Sequence, residues 1–255
     1  MNQLRVSIAT SNQVIFPHPE NGTLMLALER KATVLKDGNV NVRAQPFGGG
    51  VKILNPQALK HIIGEIQFDS DRSKQEQDFR ILIEPARWEA VKQYCLKHLD
   101  DPADFELEST PDRELVEEFA ETLGLGLKSS QYTVQPLGWV IEDQPVWTEN
   151  RYTRGFLTVR VYRTYQVEIV DGILCRNLVD TSQQVSDKAL GERAFGRATG
   201  RANSVLSLPL ERVREAFLAR LPEKRFNKIE VDHHQLDESV LVVLDDIEVP
   251  QYLRL

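Results

Sequence analysis

Apolar and polar residues alternate through the middle of the chain. Leu157, Val159, Val161, Tyr165, Val167 and Ile169 hold the odd positions, and Thr158, Arg160, Tyr162, Thr164, Gln166 and Glu168 the even ones. A period of two predicts a strand, placed at 155–170, with one face buried. Arg163 breaks the apolar side and the run is long for a strand, so a bend or bulge is expected beside it. Shorter apolar and β-branched runs predict strands at 4–9, 13–16, 24–28, 79–83 and 132–141. Asn21-Gly22 marks a turn, and Asp37-Gly38 a hairpin joining 32–35 to 40–44.

Elsewhere the period lengthens to that of a helix. Asn55-Pro56 opens one helix carrying Leu59, Ile62 and Ile63, and Pro85 opens another with Trp88, Val91, Tyr94, Cys95 and Leu99 on one side. The polar stretch 70–78 between them reads as a loop. Asp171-Gly172 turns the chain back through 173–179, and Ser186-Asp187 caps a helix running to Arg197. Residues 204–218 read as a strand passing through Pro209 into an amphipathic helix with Leu210, Val213, Phe217 and Leu218 inward, and 240–244 as a short buried strand. The pattern predicts an α+β chain with an antiparallel start, as a single domain over 1–255.

The helix expected at 110–125, TPDRELVEEFAETLGL, has an unusual polar face. Thr110 is a favoured N-cap type and Pro111 suits the first helical position. Glu114, Glu117, Glu118 and Glu121 fall within about 100° of the wheel, opposite Leu115, Val116, Phe119 and Leu123. Like charges three and four apart repel by a few tenths of a kcal/mol, roughly, per pair, a cost that a divalent cation would remove. A solvated acidic face is the ordinary alternative. Within 100–121 there are ten acids against one base, Arg113, which is positioned to fork onto a carboxylate and hold the helix in place.

Composition narrows the classes. The chain has 255 residues, 41% hydrophobic and 27% charged, with a net charge of −7, which is ordinary for a globular protein and argues against general nucleic-acid binding. The segment 188–228 reverses that balance, with ten Lys/Arg against four acids, but little aromatic interleaving accompanies it. Cys95 and Cys175 lack metal or disulfide spacing. No apolar run approaches the roughly 20 residues of a membrane span, so a cytoplasmic protein without membrane contact is expected. His233-His234 reads as a polar loop or a metal pair.

Arg113, Glu114, Leu115, Glu117 and Glu118 spell R-E-L-x-E-E, and Pro46, Phe47, Gly48, Gly49, Gly50 and Val51 precede them as a strand-to-loop glycine run. Together these resemble the two halves of the Nudix box, with 51–108 as a helical insertion between them; the strand, proline and helix at 204–218 resemble the closing element of the same fold, and the resemblance implies a mixed β-sheet sandwiched by helices. The insertion is expected either to cover the site or to pair two chains as a homodimer. The resemblance implies Mg²⁺ or Mn²⁺ held by Glu114, Glu117 and Glu118, with Glu114 also a base and Arg113 beside it in the catalytic set. Gly49 and Gly50 would supply a carbonyl or shape the pocket. The position of the family's upstream glutamate falls at Phe105, next to Glu106 and Glu108, and Ala120 stands where the family has glycine.

Arg154, Arg160 and Arg163 are candidates for bidentate phosphate binding, and Glu168 for a further metal-side carboxylate. The implied activity is Mg²⁺-dependent hydrolysis of a nucleoside diphosphate linked to another moiety. The alternative is a catalytically degenerate Nudix-like module that binds a nucleotide or a protein.

Overall fold

The long alternating run forms a strand, β7 (Leu157–Ile169), that lies parallel to the first strand, β1 (Leu4–Pro17), over twelve paired positions from Leu4↔Leu157 to Ile15↔Glu168. A computed structural model describes residues 3–101, 103–108, 110–147 and 155–213, and the backbone of 230–232 and 247–248. Arg154, the helix expected beyond Val213, His233-His234 and the strand expected at 240–244 lie outside the described residues.

Among these residues one mixed sheet runs in the order β10 (Ile247–Glu248), β3 (Val40–Gln45), β2 (Leu24–Val34), β1, β7, β6 (Tyr132–Trp147), β9 (Glu230–Asp232). β8 (Arg201–Pro209) pairs with β2, while β5 (Arg80–Ile83) pairs with β1 and with β4 (Gln67–Phe68). The expected bulge falls in β6, the partner of β7, where the register shifts between Pro136 and Gly138.

β1 and β2 are each continuous where the sequence predicts two short strands. β2 runs through Glu29-Arg30-Lys31 because tertiary partners satisfy the charges. Glu29 is fully buried and accepts from Lys31, Gln45 and Asn203. Arg30, on the other face, donates to Asp187 and to the carbonyl of Val185.

Helices among the described residues are α1 (Pro56–Ile63), α2 (Asp71–Glu76), α3 (Trp88–His98), α4 (Asp112–Leu123), α5 (Gly172–Gln184) and α6 (Asp187–Phe195), and residues 210–213 are also helical. The stretch 70–78 is therefore not all loop. Ser70 caps α2 by accepting from the Ser73 amide, and Gln77 ends it in the left-handed region at φ 55°. The segment 51–108 is not purely helical either, since it contributes β4 and β5. Val51, Ile53, Leu59, Phe79, Val91 and Leu107 pack with Val6, Ile8, Val159 and Val161 in one core cluster. A second cluster on the same face of β1 joins Val14, Phe16, Val167 and Ile169 to α4 and α5 through Leu115, Phe119 and Leu178. α6 covers the opposite face of β2 through Leu190 and Ala194. The α+β class holds, with helices on both faces of a mixed sheet. No described helix is long and apolar enough to cross a membrane.

Arg30 locks the start of α6 to the sheet, and burial pulls its guanidinium below the ordinary pKa while Asp187 pushes back. Arg30→Met should strand a backbone carbonyl and an acid together, destabilising the fold by about 2–3 kcal/mol. Chemical denaturation measures this, and a change below about 0.5 kcal/mol, the level of an ordinary surface substitution, would show that the tie contributes nothing.

Candidate functional site

The glycine run and the acidic helix, more than sixty residues apart in the chain, meet at the edge of β1. Phe47 and Gly50 form isolated bridges with Asn12 and Ala9, so the run occupies the gap between β5 and β2 along that edge. Phe47 stacks on Phe119 of α4 with ring centroids 4.8 Å apart, which pins the helix above the turn. Gly48 donates its N–H to Glu118 Oε2 at 2.6 Å, and Gly50 O accepts from the Arg113 guanidinium at 3.1 Å.

Close approach leaves little room for a side chain at any of the three glycines. A Cβ on Gly49 would lie 2.1 Å from Glu114 Oε2, and one on Gly50 2.9 Å from the Asp78 carboxylate. Gly48, at φ +149°, would set a Cβ 2.3 Å from Thr10 O. The Gly49 carbonyl accepts from Thr10 N at 2.9 Å, so this residue shapes the pocket while already bonded to the sheet.

α4 begins one residue later than expected. Pro111 is its cap residue, and no side chain caps it; instead Tyr132 donates its hydroxyl to Asp112 at 2.5 Å. The buried face consists of Leu115, Glu118, Phe119 and Thr122, while Val116 is exposed. The carboxylate ridge is thus split. Glu118 turns inward under the glycines, and Glu117 and Glu121 turn outward.

Arg113 holds the rest of the ridge. It donates to Glu108 from Nε and Nη2 at 2.7 and 2.6 Å and to Glu117 at 3.0 Å, and it pairs with Glu114 at 2.7 Å. Although burial opposes its charge, the three carboxylates raise its pKa further above the ordinary guanidinium value. Its role is therefore to position the acids and the Gly50 carbonyl.

Burial, then the charge of Glu29, pushes Glu118 up to about 9, against the opposing pull of Lys31 and the Gly48 N–H. Burial likewise raises Glu114, with Arg113 pulling it back, and raises Asp78, with Arg80 doing the same. These acids line a cleft of about 970 Å³ whose walls include Gly48, Gly49, Gly50, Glu76, Glu117 and Glu121, and whose rim carries Lys31, Lys52, Arg72, Arg80, Arg197 and Arg201.

The two strand arginines lie elsewhere. Arg160 pairs with the buried Glu142 at 2.5 Å. Arg163 reaches Asp100 at 3.1 Å with its guanidinium 4.3 Å from the centre of the Trp139 ring. Neither lines the cleft, because acids from distant segments claim both. Glu168 is exposed and also outside it. Nor does either acid beside Phe105 line it. Glu106 accepts from Asn55 and Tyr94, and Glu108 from Arg113.

Sequence reasoning missed Asp78 and Glu29. Asp78 lay in a stretch read as loop. Glu29 had a signal, three consecutive charges flanked by apolar strand residues, since charge inside a buried strand demands partners.

Among the described residues no three His, Cys, Asp or Glu side chains converge as a ready metal site. Carboxylate oxygens are the donors that a hard divalent cation takes, and Glu114, Glu117 and Glu118 supply them along the cleft. Burial, then the charge of Glu29 and, least, that of Glu114 disfavour the ionised form of Glu118. Comparison of the chain with protein-family models, with curated proteins and with solved structures returns no match.

Proposed function

We propose that this cleft hydrolyses a nucleoside diphosphate linked to another moiety, in the manner of a Nudix-type hydrolase, with Mg²⁺ or Mn²⁺ held by Glu114, Glu117 and Glu118. The observation that carries the reading is the junction itself: a bare backbone turn donating to Glu118 and packed against Glu114, at the floor of an acid-lined, base-rimmed cleft. The divalent cation, when bound, neutralises charge building on the diphosphate oxygens. The chain's own residues do the remainder. Glu114, its pKa raised by burial, takes the proton from the attacking water as the oxygen–phosphorus bond forms and the bridging bond breaks. Arg113 keeps the acids in register, and the glycines let a diphosphate approach the backbone.

A second reading, a nucleotide-binding module without turnover, is favoured by the hold of Arg113 on Glu108, Glu114 and Glu117, which occupies carboxylates that a metal would need. Calorimetry with ADP-ribose beside a product-release assay on nucleotide diphosphate derivatives in Mg²⁺ separates the two. The hydrolase reading expects turnover that falls by about 10²–10⁴ in Glu114→Gln, the usual worth of a general base. Binding without release selects the module, and neither binding nor release removes both.

A further inference from the structure

The buried face of β1 changes character at its middle. Val6 and Ile8 belong to the cluster built with the 51–108 insertion, Val14 and Phe16 to the cluster built with α4 and α5, and Thr10 and Asn12 lie between them on the same face. Register sets Arg163 beside Thr10 and Tyr165 beside Asn12 on β7, again between Val161 of the first cluster and Val167 of the second. A polar belt thus divides the core. Thr10, Asn12 and Arg163 are buried, and Thr10 Oγ1, Asn12 Oδ1 and Nδ2, and Arg163 Nε have no hydrogen-bond partner among the described residues. Buried donors and acceptors left in this way are unfavourable, so packing holds the fold less tightly at the belt than in the apolar rungs on either side.

Breaks in the backbone pattern fall on the same line. In β6 the register shifts between Pro136, opposite Tyr165, and Gly138, opposite Thr164, and Gly138 stands at φ +144°. Along the other edge of β1, isolated bridges from Ala9 to Gly50 and from Asn12 to Phe47 take the place of a regular ladder, with Gly48 between them at φ +149°. The chain enters the insertion through these glycines and returns at Pro111, ahead of α4. Ionic ties span the belt from the insertion, Glu108 to Arg113 at 2.6 Å and Asp100 to Arg163 at 3.1 Å.

The cleft straddles this line. Lys52, Glu76 and Asp78 line it from the insertion, and Lys31, Glu117 and Glu118 from β2 and α4. A change of twist at the belt, with β1 and β7 still paired, therefore alters the distance between its walls.

We propose that the belt is a hinge: the insertion, with the strand ends beneath it, moves as one unit against α4, α5, β2 and β8, and so opens and closes the cleft. The hinge does not depend on the reaction assigned to the cleft.

Spin labels on Glu65→Cys and Glu192→Cys, exposed positions of the insertion and of α6, read the motion in the full chain, because Cys95 and Cys175 are buried. Pulsed dipolar spectroscopy should give two separations that differ by more than about 2 Å. Salt at about 1 M, which cuts the screening length to about 3 Å and weakens the ionic ties, should raise the share of the longer one. A single separation unmoved by salt overturns the hinge. Thr10→Val keeps the shape of the side chain and removes an unpaired hydroxyl, so it should melt at least about 2 °C above the wild type. An equal or lower melting temperature means that the hydroxyl is already satisfied, and overturns the hinge as well. In the labelled T10V/N12L variant the buried face is apolar from Val6 to Phe16, and the two separations should merge into one; their persistence in wild-type proportions sinks the proposal even if turnover by the cleft is established.

Discussion

Without divalent cations, Glu118→Gln is expected to melt higher than the wild-type protein at pH 8. The Glu118 carboxyl has an ordinary value of 4.5 and is pushed to about 9 by burial and by Glu29. Between these values the folded chain keeps a proton that the unfolded chain has released, so stability is complete below the ordinary carboxylate range and falls as pH rises toward 9. One pKa unit corresponds to about 1.4 kcal/mol, so even half of that interval amounts to about 3 kcal/mol at pH 8. Glutamine has the shape of the protonated acid, still accepts from the Gly48 N–H, and does not titrate.

Melting curves from pH 5 to 9 should therefore converge at the acid end and separate with rising pH. Saturating Mn²⁺ should then reverse the order. A cation at 1,000 times its dissociation constant stabilises the wild type by about 4.1 kcal/mol, whereas the variant has lost a ligand. A variant less stable than wild type at every pH would mean that Glu118 is held as a satisfied anion, and a metal response equal in both proteins would remove the cation from this site.

Substituting the glycines should separate folding from chemistry. In Gly48→Ala the new Cβ meets backbone, with Thr10 O at 2.3 Å and Ser11 Cα at 3.2 Å, at a φ of +149°. β1 is paired along both edges and cannot give way, so a loss of about 3 kcal/mol or more is expected from strain and overpacking together. In Gly49→Ala the atoms nearest the Cβ belong to the carboxylate of Glu114. That is the end of a flexible side chain, which can swing aside by giving up its pair with Arg113 at a cost of about 1–2 kcal/mol. The fold should survive while Glu114 leaves its place, and turnover should drop by about 10², the effect of misplacing a reacting group by about 1 Å. Urea denaturation and turnover measured on both variants check this. A Gly49→Ala protein with full activity would show that Glu114 is not needed where it stands.

Much of this architecture was legible locally. The alternation at 157–169, the Asp37-Gly38 hairpin, the Asn55 and Ser186 caps and the apolar positions Leu115 and Phe119 each depend on neighbours a few residues away, and each appears as expected. The glycine run and the R-E-L-x-E-E helix were also expected to lie together, and they meet although 51–108 separates them.

What the chain order could not reveal was which acids face inward and which bases are already taken. α4 is rotated so that Glu118 replaces Val116 on the buried side, because Phe119 must stack on Phe47 and Glu118 must reach the Gly48 N–H. β2 crosses Glu29-Arg30-Lys31 only because Gln45, Asn203 and Asp187 meet those charges from other strands and from α6. Arg160 and Arg163 are withdrawn from the site by Glu142 and Asp100 in the same way. Periodicity and capping are short-range and were settled by the residues themselves. The ionisation and partner of a buried charge depend on groups brought together from across the chain, and only the folded arrangement determines them.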